Sequence, residues 1–263
     1  MSKPQVRFSV FTKPWMQLPL GQLSQMVKGW GFDGIELPVR PGYQVLPENV
    51  RRDLPRATRQ LADEGLRIFS VAGPTDEATI AACAESGIPI IRIMVVVDPE
   101  NYLASIDRVQ REFDALLPIL ERYNVTVGIQ NHCGPMVANA MGLRNLVGRY
   151  DPRYFAGVWD AGHEALVGEP PEQALDIIWS HLAMVNLKNA VWRRTNPDAE
   201  VAEWRHFWLR GPNGLASWPR VAAELRRRNY DGVVCLTAEY TEEERVEEYI
   251  CQDIVFAKKL FMG

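Results

Sequence analysis

Four apolar segments of the chain end in polar side chains of the kinds that transfer protons or bind metal ions. In chain order, these side chains are Gln130, Asn131, His132, Asp160, His163, Asn186, Lys188 and Glu239. Asp160 and Glu239 are the only carboxylates in this set. A carboxylate at the end of an apolar segment loses hydration, which costs free energy unless a cation or hydrogen bonds compensate. A functional site is the simplest explanation for keeping both.

The residue types indicate chemistry beside a carbonyl group. Glu239 is the candidate general base, because a carboxylate can remove the proton from a carbon next to a carbonyl. His163 and His132 are the candidates that supply or relay protons. Lys188 stands in an apolar segment, where an unpaired ammonium is unstable. We therefore expect Lys188 to face an acid or an anionic substrate and to stabilise a developing enolate oxygen.

Each of these residues also has a purely structural interpretation. Glu239 could be an exposed acid that leads into the acidic stretch 241–244. Asp160 could cap a turn with Gly162, as aspartates often do. The two histidines could be hydrogen-bonded imidazoles of the core. His181 is expected to close a helix and is assigned no chemistry.

Short apolar runs and longer amphipathic stretches alternate along the whole chain, which indicates βα units around a parallel sheet. We predict strands at 6–12, 34–39, 67–73, 90–97, 126–132, 155–163, 183–189 and 233–240, and helices at 20–30, 48–64, 75–86, 102–123, 138–150, 171–181, 217–228 and 242–260. Eight such units predict a single (β/α)₈ TIM barrel that forms one domain over residues 1–263. An open, doubly wound sheet is the alternative. In a barrel, the polar strand ends would share one pocket.

The connection between the last two predicted strands, residues 190–216, is long and rich in aromatic and basic residues. Long connections often cover a substrate, and we expect Arg194 to anchor an anionic end of it. Trp192 and Trp15 could stack on the apolar face of a sugar ring. Glu36 and Asn131 complete the predicted substrate-binding residues. The alternative for this connection is an Ω-loop folded over its own tryptophans.

Composition excludes several classes of protein. The chain has 263 residues, 47% of them hydrophobic and 24% charged, and a formal net charge of −4. The sequence has no basic stripe and no long apolar run, so we expect neither nucleic acid nor a membrane as a partner. We expect a cytoplasmic location. The four cysteines lack CxxC spacing, and no GxGxxG follows a strand, so no zinc ribbon, nicotinamide or flavin is predicted. The sequence does not decide the oligomeric state, and a homo-oligomer is one of the alternatives.

Four short motifs together resemble the xylose isomerase-like TIM barrel superfamily of sugar phosphate isomerases and epimerases. They are Gly34-Ile35-Glu36-Leu37, Val158-Trp159-Asp160-Ala161-Gly162-His163, Val185-Asn186-Leu187-Lys188 and Thr237-Ala238-Glu239. The resemblance implies a divalent metal, manganese or magnesium, held by Glu, Asp, His and Glu on strands five to eight. Asp160 and Glu239 match this set. Gln130 and Asn186 stand where the other Glu and the His are expected.

The two replacements change the expected chemistry. An amide cannot be a general base, so Gln130 removes one of the paired bases that the resemblance implies. Gln130, Asp160, Asn186 and Glu239 could still hold a hard cation through their oxygen atoms. We expect its affinity to be weak or absent.

Three functions stay open. The first is an isomerase or epimerase that acts on a small sugar, polyol or sugar acid by proton transfer next to a carbonyl. The second is a lyase or dehydratase, in which the same enolate expels a β-hydroxyl group. The third is a non-catalytic sugar-binding homologue that has lost the metal. The fold does not decide among them, but four polar strand-end groups favour an enzyme over a binding protein.

Overall fold

A closed barrel of parallel strands forms the centre of the computed structural model, which describes residues 6–262. Residues 1–5 and 263 of the predicted domain lie outside this range. The strands are β1 (Arg7–Phe11), β2 (Gly34–Pro38), β3 (Arg67–Ala72), β4 (Ile90–Met94), β5 (Thr126–Gln130), β6 (Phe155–Asp160), β7 (Leu182–Leu187), β8 (Asn189–Arg194), β9 (Trp204–Leu209) and β10 (Val233–Leu236). The eight barrel strands pair in the order β1-β10-β7-β6-β5-β4-β3-β2. The predicted TIM barrel is confirmed, and the open sheet is wrong because β1 pairs with both β2 and β10.

Helices surround the barrel. They are α1 (Leu20–Trp30), α2 (Val50–Asp63), α3 (Glu77–Glu85), α4 (Tyr102–Tyr123), α5 (Ala140–Val147), α6 (Ala161–Val167), α7 (Pro171–Ile178), α8 (Trp218–Arg227) and α9 (Val246–Met262). The helices α1 and α4 have the predicted bounds, since Gly31 and Asn124 adopt the left-handed conformation that ends them. Within residues 6–262, no helix combines the length and apolar character needed to cross a membrane.

Apolar side chains fill most of the barrel interior. The interior cluster consists of Phe11, Phe69, Ala72, Ile90, Val158, Met184, Val233 and Cys235. Register partners on neighbouring parallel strands point to the same face of the sheet. Gln130 is paired with Val158, and Asn186 is paired with Cys235, so both amides also face the interior. These two amides therefore join the polar groups that line the interior toward the carboxyl ends of the strands.

All eight barrel strands end earlier than predicted. The prediction that strand six runs to residue 163 is wrong: β6 ends at Asp160, whose carboxylate accepts hydrogen bonds from the backbone N–H groups of Gly162 and His163 and caps α6. His132, Lys188 and Glu239 likewise lie beyond the ends of β5, β7 and β10. These side chains therefore project from the loops at the mouth of the barrel.

The long connection after β7 is an antiparallel hairpin of β8 and β9, not an Ω-loop. The buried side chain of Asn189 closes its base: its amide nitrogen donates to the carbonyls of Gly211 and Ala216 at 2.6 and 2.9 Å, and its oxygen accepts from the backbone N–H groups of Ala190 and Ala216. The hairpin is thus fixed at the edge of the barrel mouth.

Candidate active site

Glu239 lies in the loop after β10 with both carboxylate oxygens bound to ammonium groups. Lys13 donates to Oε1 at 2.5 Å, and Lys188 donates to Oε2. The Glu239 side chain is 24% exposed, whereas that of Lys188 is 2% exposed. Burial raises the pKa of Glu239, but the two ammonium groups outweigh it and lower the pKa to about 2. Glu239 is therefore ionised at neutral pH, with Lys188 behind it.

A small polar cavity of about 80 Å³ opens at the mouth of the barrel. Its walls are formed by Phe11, Lys13, Arg40, Arg92, Met94, Gln130, His132, Thr237 and Glu239. Glu239 is the only carboxylate among these residues, and it faces three cations. A wider groove of about 530 Å³ adjoins the cavity and shares Arg40, Arg92 and Met94 with it. A ligand can therefore extend from Glu239 into the groove.

His132 lines the cavity, and His163 lies behind it. The two rings are in contact, with their centroids 3.8 Å apart and their planes tilted by 36°. Nδ1 of His132 lies 2.7 Å from the carbonyl oxygen of Cys133, which keeps the proton on Nδ1 and leaves Nε2 to accept. Burial lowers the pKa of His132, and it lowers that of the buried His163 further. Both imidazoles are neutral at pH 7, and only His132 reaches the cavity.

Lys188 is held by an aromatic ring from the hairpin. Its Nζ atom lies 3.5 Å from the ring centroid of Trp208 and 3.4 Å from Nε2 of His163. The ring of Trp208 also contacts His163 edge-on, with centroids 4.9 Å apart. A cation over a tryptophan face is stabilised by the ring quadrupole. Sequence analysis missed Trp208 because the pairing of β8 and β9 that carries it there was not predicted.

A chain of buried hydrogen bonds connects four barrel strands beneath the cavity. Glu36 is fully buried and accepts from Nε and Nη2 of Arg92 at 2.8 Å, so it pairs with a cation and does not face a substrate. Nη1 of Arg92 donates to Oε1 of Gln130 at 2.5 Å, and Nε2 of Gln130 donates to Asp160 at 2.7 Å. Burial raises the pKa of Asp160 to about 6. Sequence analysis missed Arg92, whose only signal is a cation within the apolar strand β4.

Asn131 holds the backbone of β6 and does not line the cavity. It is fully buried, its oxygen accepts from the Asp160 N–H at 2.7 Å, and its nitrogen donates to the Asp160 carbonyl at 3.2 Å. Asn186 is also fully buried, but its amide makes no hydrogen bond within the part of the chain that the structure describes. Asn131 is thus a positioning residue, and Asn186 is the one amide of the site with free polar atoms.

The four positions that correspond to metal ligands do not fit a divalent cation. Both oxygens of Glu239 bind ammonium groups, and the oxygen of Gln130 binds a guanidinium. Asp160 already accepts from Gln130 and from two backbone N–H groups. A metal ion here would lie beside resident cations, and the free amide of Asn186 cannot offset that repulsion.

His132, Cys133 and His163 provide a second set of potential ligand atoms, which all lie within 4.8 Å of one another. The ring centroids of the two imidazoles are 3.8 Å apart, and the rings are tilted by 36°. Their Nδ1 atoms are engaged by Cys133: that of His132 faces the Cys133 carbonyl, and that of His163 accepts from the Cys133 N–H. Nε2 of His163 lies 3.4 Å from the ammonium of Lys188, which would repel a metal ion. This set is therefore better suited to packing than to holding a metal.

Three of the predicted substrate-binding residues lie away from the cavity. Trp15 is buried and packs against Trp30 with ring centroids 5.1 Å apart. Trp192 donates from Nε1 to the carbonyl of Leu166 and lies along α6. Arg194 is exposed near the tip of the hairpin, where it donates to the carbonyl of Ala199. The structure instead places Lys13, Arg40 and Arg92 at the cavity.

The sequence matches the xylose isomerase-like TIM barrel family over residues 25–259, so the chain belongs to this family. The resemblance found in the four motifs is confirmed. No curated protein matches the chain.

Several solved structures share the fold at low sequence identity. D-psicose 3-epimerase from Clostridium cellulolyticum H10, solved with D-tagatose, has a TM-score of 0.74 and 11% identity over 97% of this chain and 99% of that one. The 3-keto-D-glucoside 4-epimerase YcjR from E. coli has a TM-score of 0.73 and 14% identity over 97% of this chain and 100% of that one. The probable 3-DHS dehydratase AsbF from Bacillus anthracis has a TM-score of 0.72 and 14% identity over 96% of this chain and 99% of that one. At these identities the likeness establishes the fold only.

Proposed function

We propose that the protein is an isomerase or epimerase that moves a proton on a carbon next to the carbonyl of a small sugar or sugar acid. The observation that carries this proposal is Glu239, an ionised carboxylate that is the only acid lining a cavity at the carboxyl end of the barrel. Family membership supports it, because the structural neighbours include sugar epimerases.

Glu239 is the base in this proposal. In the free protein its two ion pairs make it a weak base, since its pKa lies at about 2. When a substrate oxygen binds the ammonium of Lys13, Glu239 loses one of its two ion pairs. Its carboxylate then becomes more basic at the step in which it removes the proton from the substrate carbon. Lys188, being buried, keeps Glu239 ionised and aimed at the cavity.

His132 is the second proton carrier. Its neutral imidazole lines the same cavity, and its Nε2 atom is free to accept or return a proton. Epimerisation requires a base on one face of the carbon and a proton donor on the other: Glu239 takes the proton from one face, and His132 delivers a proton to the other after its Nε2 has taken one from solvent, while the proton on Glu239 returns to solvent. The negative charge that develops on the enolate oxygen is stabilised by Lys13 and Arg92, which also line the cavity. No metal takes part in these steps.

Hydrogen exchange tests this function directly. Purified protein is incubated in D₂O with D-fructose, D-tagatose and related keto sugar acids, and deuterium at carbon is followed by NMR and mass spectrometry. We expect incorporation at the carbon next to the carbonyl with at least one of these compounds. Glu239→Gln should reduce the rate by about 10²–10⁴-fold, the usual contribution of a general base.

The exposed Glu244→Gln variant is the matched control and should keep the full rate. The products distinguish the other functions. A product lighter by one water would assign the reaction to a lyase or dehydratase, as the likeness to AsbF would suggest. Binding of these sugars with no exchange would contradict the proposal and favour a sugar-binding homologue.

A further inference from the structure

Arg40 is a cation of the cavity wall. It follows β2, is half-buried, and its guanidinium forms no ion pair or side-chain hydrogen bond with any of residues 6–262. The neighbouring cations are paired: Arg92 binds Glu36, and Lys13 binds Glu239. Arg40 is therefore the cation of the cavity wall that is free to bind a ligand.

The walls of the cavity carry three cations, Lys13, Arg40 and Arg92, and one acid, Glu239, although the whole chain has a net charge of −4. The adjoining groove adds the carboxylate of Asp76, which accepts hydrogen bonds from the backbone N–H and the hydroxyl of Thr79. Burial and the charge of Arg92 both lower the pKa of Arg40, so its charged form is held at a cost. A partly buried cation whose charged form is destabilised in this way usually lies next to an anion. A guanidinium binds a carboxylate or a phosphate through two parallel hydrogen bonds.

The position of Arg40 fits the far end of a substrate. The guanidiniums of Arg40 and Arg92 lie 5.8 and 4.6 Å from the ring centroid of Phe11, so one aromatic ring contacts both. The cavity at Glu239, at about 80 Å³, is much smaller than the roughly 300–1,000 Å³ of ligand pockets. A sugar whose reacting carbon meets Glu239 must extend into the 530 Å³ groove, and Arg40 lies on the wall common to both.

From these observations we infer that Arg40 binds an anionic oxygen group of the substrate, a carboxylate or a phosphate, so that the substrate is a sugar acid or a sugar phosphate and not a neutral sugar. The inference rests on the proposed function, since it assigns the substrate class of the same site. Arg40 takes the role that the sequence assigned to Arg194.

Three ligands that differ in one end group test this inference: D-fructose, D-fructuronate and D-fructose 6-phosphate. Calorimetric titration measures their affinities for the native protein, Arg40→Gln and Arg40→Lys, with the exposed Arg59→Gln as matched control. We expect one or both anionic ligands to bind the native protein about tenfold or more tightly than D-fructose. Arg40→Gln should lose this preference, Arg40→Lys should keep part of it, and Arg59→Gln should keep all of it.

The inference is overturned if the native protein binds all three ligands equally or binds none of them. It is also overturned if Arg40→Gln keeps the preference for the anionic ligands. The stronger of the two anionic ligands identifies the carboxylate or the phosphate as the group bound. Deuterium exchange, measured in parallel, separates the two proposals. Tight, Arg40-dependent binding without exchange contradicts the proposed function alone, whereas exchange that Arg40→Gln leaves unchanged contradicts the anion site alone.

Discussion

At the scale of single residues, the site combines an ionised acid with resident cations where its family resemblance implies a metal. Lys188 approaches Glu239 from the buried side and is itself held by Trp208. Arg92 takes up the oxygen of Gln130. The amide at position 130 fits this arrangement, because it accepts from Arg92 and donates to Asp160 at once. Two ammonium groups and one guanidinium thus supply positive charge at the site.

Replacing Lys188 by methionine tests how the charge of Glu239 is controlled. The ammonium of Lys188 lowers the pKa of Glu239, so Lys188→Met should raise that pKa toward its ordinary value of 4.5. A base works only when deprotonated, so the acidic limb of the pH–rate profile of exchange should move to higher pH. In the native protein this limb should lie near pH 2, beyond the range in which folded protein can be assayed. An unchanged acidic limb in a folded variant would show that Lys188 does not act through Glu239.

The buried acid Glu164 predicts a pH dependence of stability. It accepts hydrogen bonds from Trp159 at 2.8 Å and Asn131 at 3.1 Å, and burial, with the neighbouring Glu169, raises its pKa to about 10. A group whose pKa is raised on folding stabilises fully below its unfolded value, about 4.5, and loses this contribution as the pH rises through its folded value. We expect Tm to fall between pH 5 and 10.

Glu164→Gln separates this effect from other titrations. The amide stays neutral at every pH, so the variant should show a flatter dependence of Tm on pH than the native protein. Glu243→Gln, an exposed exchange of the same kind, should reproduce the native profile. Parallel profiles for native protein and Glu164→Gln would show that Glu164 is not held neutral in the fold.

At the scale of elements, the sequence predicts what depends on local patterns and misses what depends on pairing across the chain. The eight barrel strands follow from their apolar runs. The predicted strand 155–163 extends over the start of α6, although Asp160 at the start of this helix and Gly168 at its end are the usual cap residues and indicate a helix. The hairpin lacks a tight-turn signal, since β8 and β9 are separated by nine residues that contain no glycine.

The same distinction holds for the site. Its location at the ends of the last strands could be predicted, because the carboxyl ends of parallel strands converge. The partners of each side chain could not, because Arg92, Lys13 and Trp208 come from distant elements that only the closed barrel and the hairpin bring together. Arg40 directly follows the predicted strand 34–39, a position that the same rule could have singled out, but whether it is paired depends on distant elements.

The base of the hairpin depends on one side chain. Asn189→Ala removes its four hydrogen bonds and leaves the buried carbonyls of Gly211 and Ala216 without a donor. Each unsatisfied buried group costs about 1–3 kcal/mol, so we expect the free energy of unfolding in urea to fall by about 2–4 kcal/mol. Limited proteolysis should cut within residues 195–203 sooner. The exposed Asn213→Ala is the control, and a variant as stable and as resistant as native protein would contradict this role of Asn189.

At the scale of the whole molecule, a chain that is acidic overall lines its cavity at the barrel mouth with three cations and one acid. The field of these cations favours anionic ligands in the cavity and opposes the entry of divalent cations. The neutral ends of Gln130 and Asn186 add nothing against that field. The fold of the family is thus retained with an electrostatic environment of the opposite sign from the one that a metal centre needs.

This sign predicts the metal content of the protein. Protein purified without chelator should contain far less than one manganese or magnesium per chain by mass spectrometry, and exchange activity should be unaffected by EDTA. Restoring the acid alone in Gln130→Glu should not create a site, because the new carboxylate would pair with Arg92. Adding Asn186→His and Lys188→Met frees Glu239 from one cation, and this triple variant should gain measurable manganese binding. One metal per native chain, lost in Glu239→Gln, would instead show that the resident cations give way to an ion.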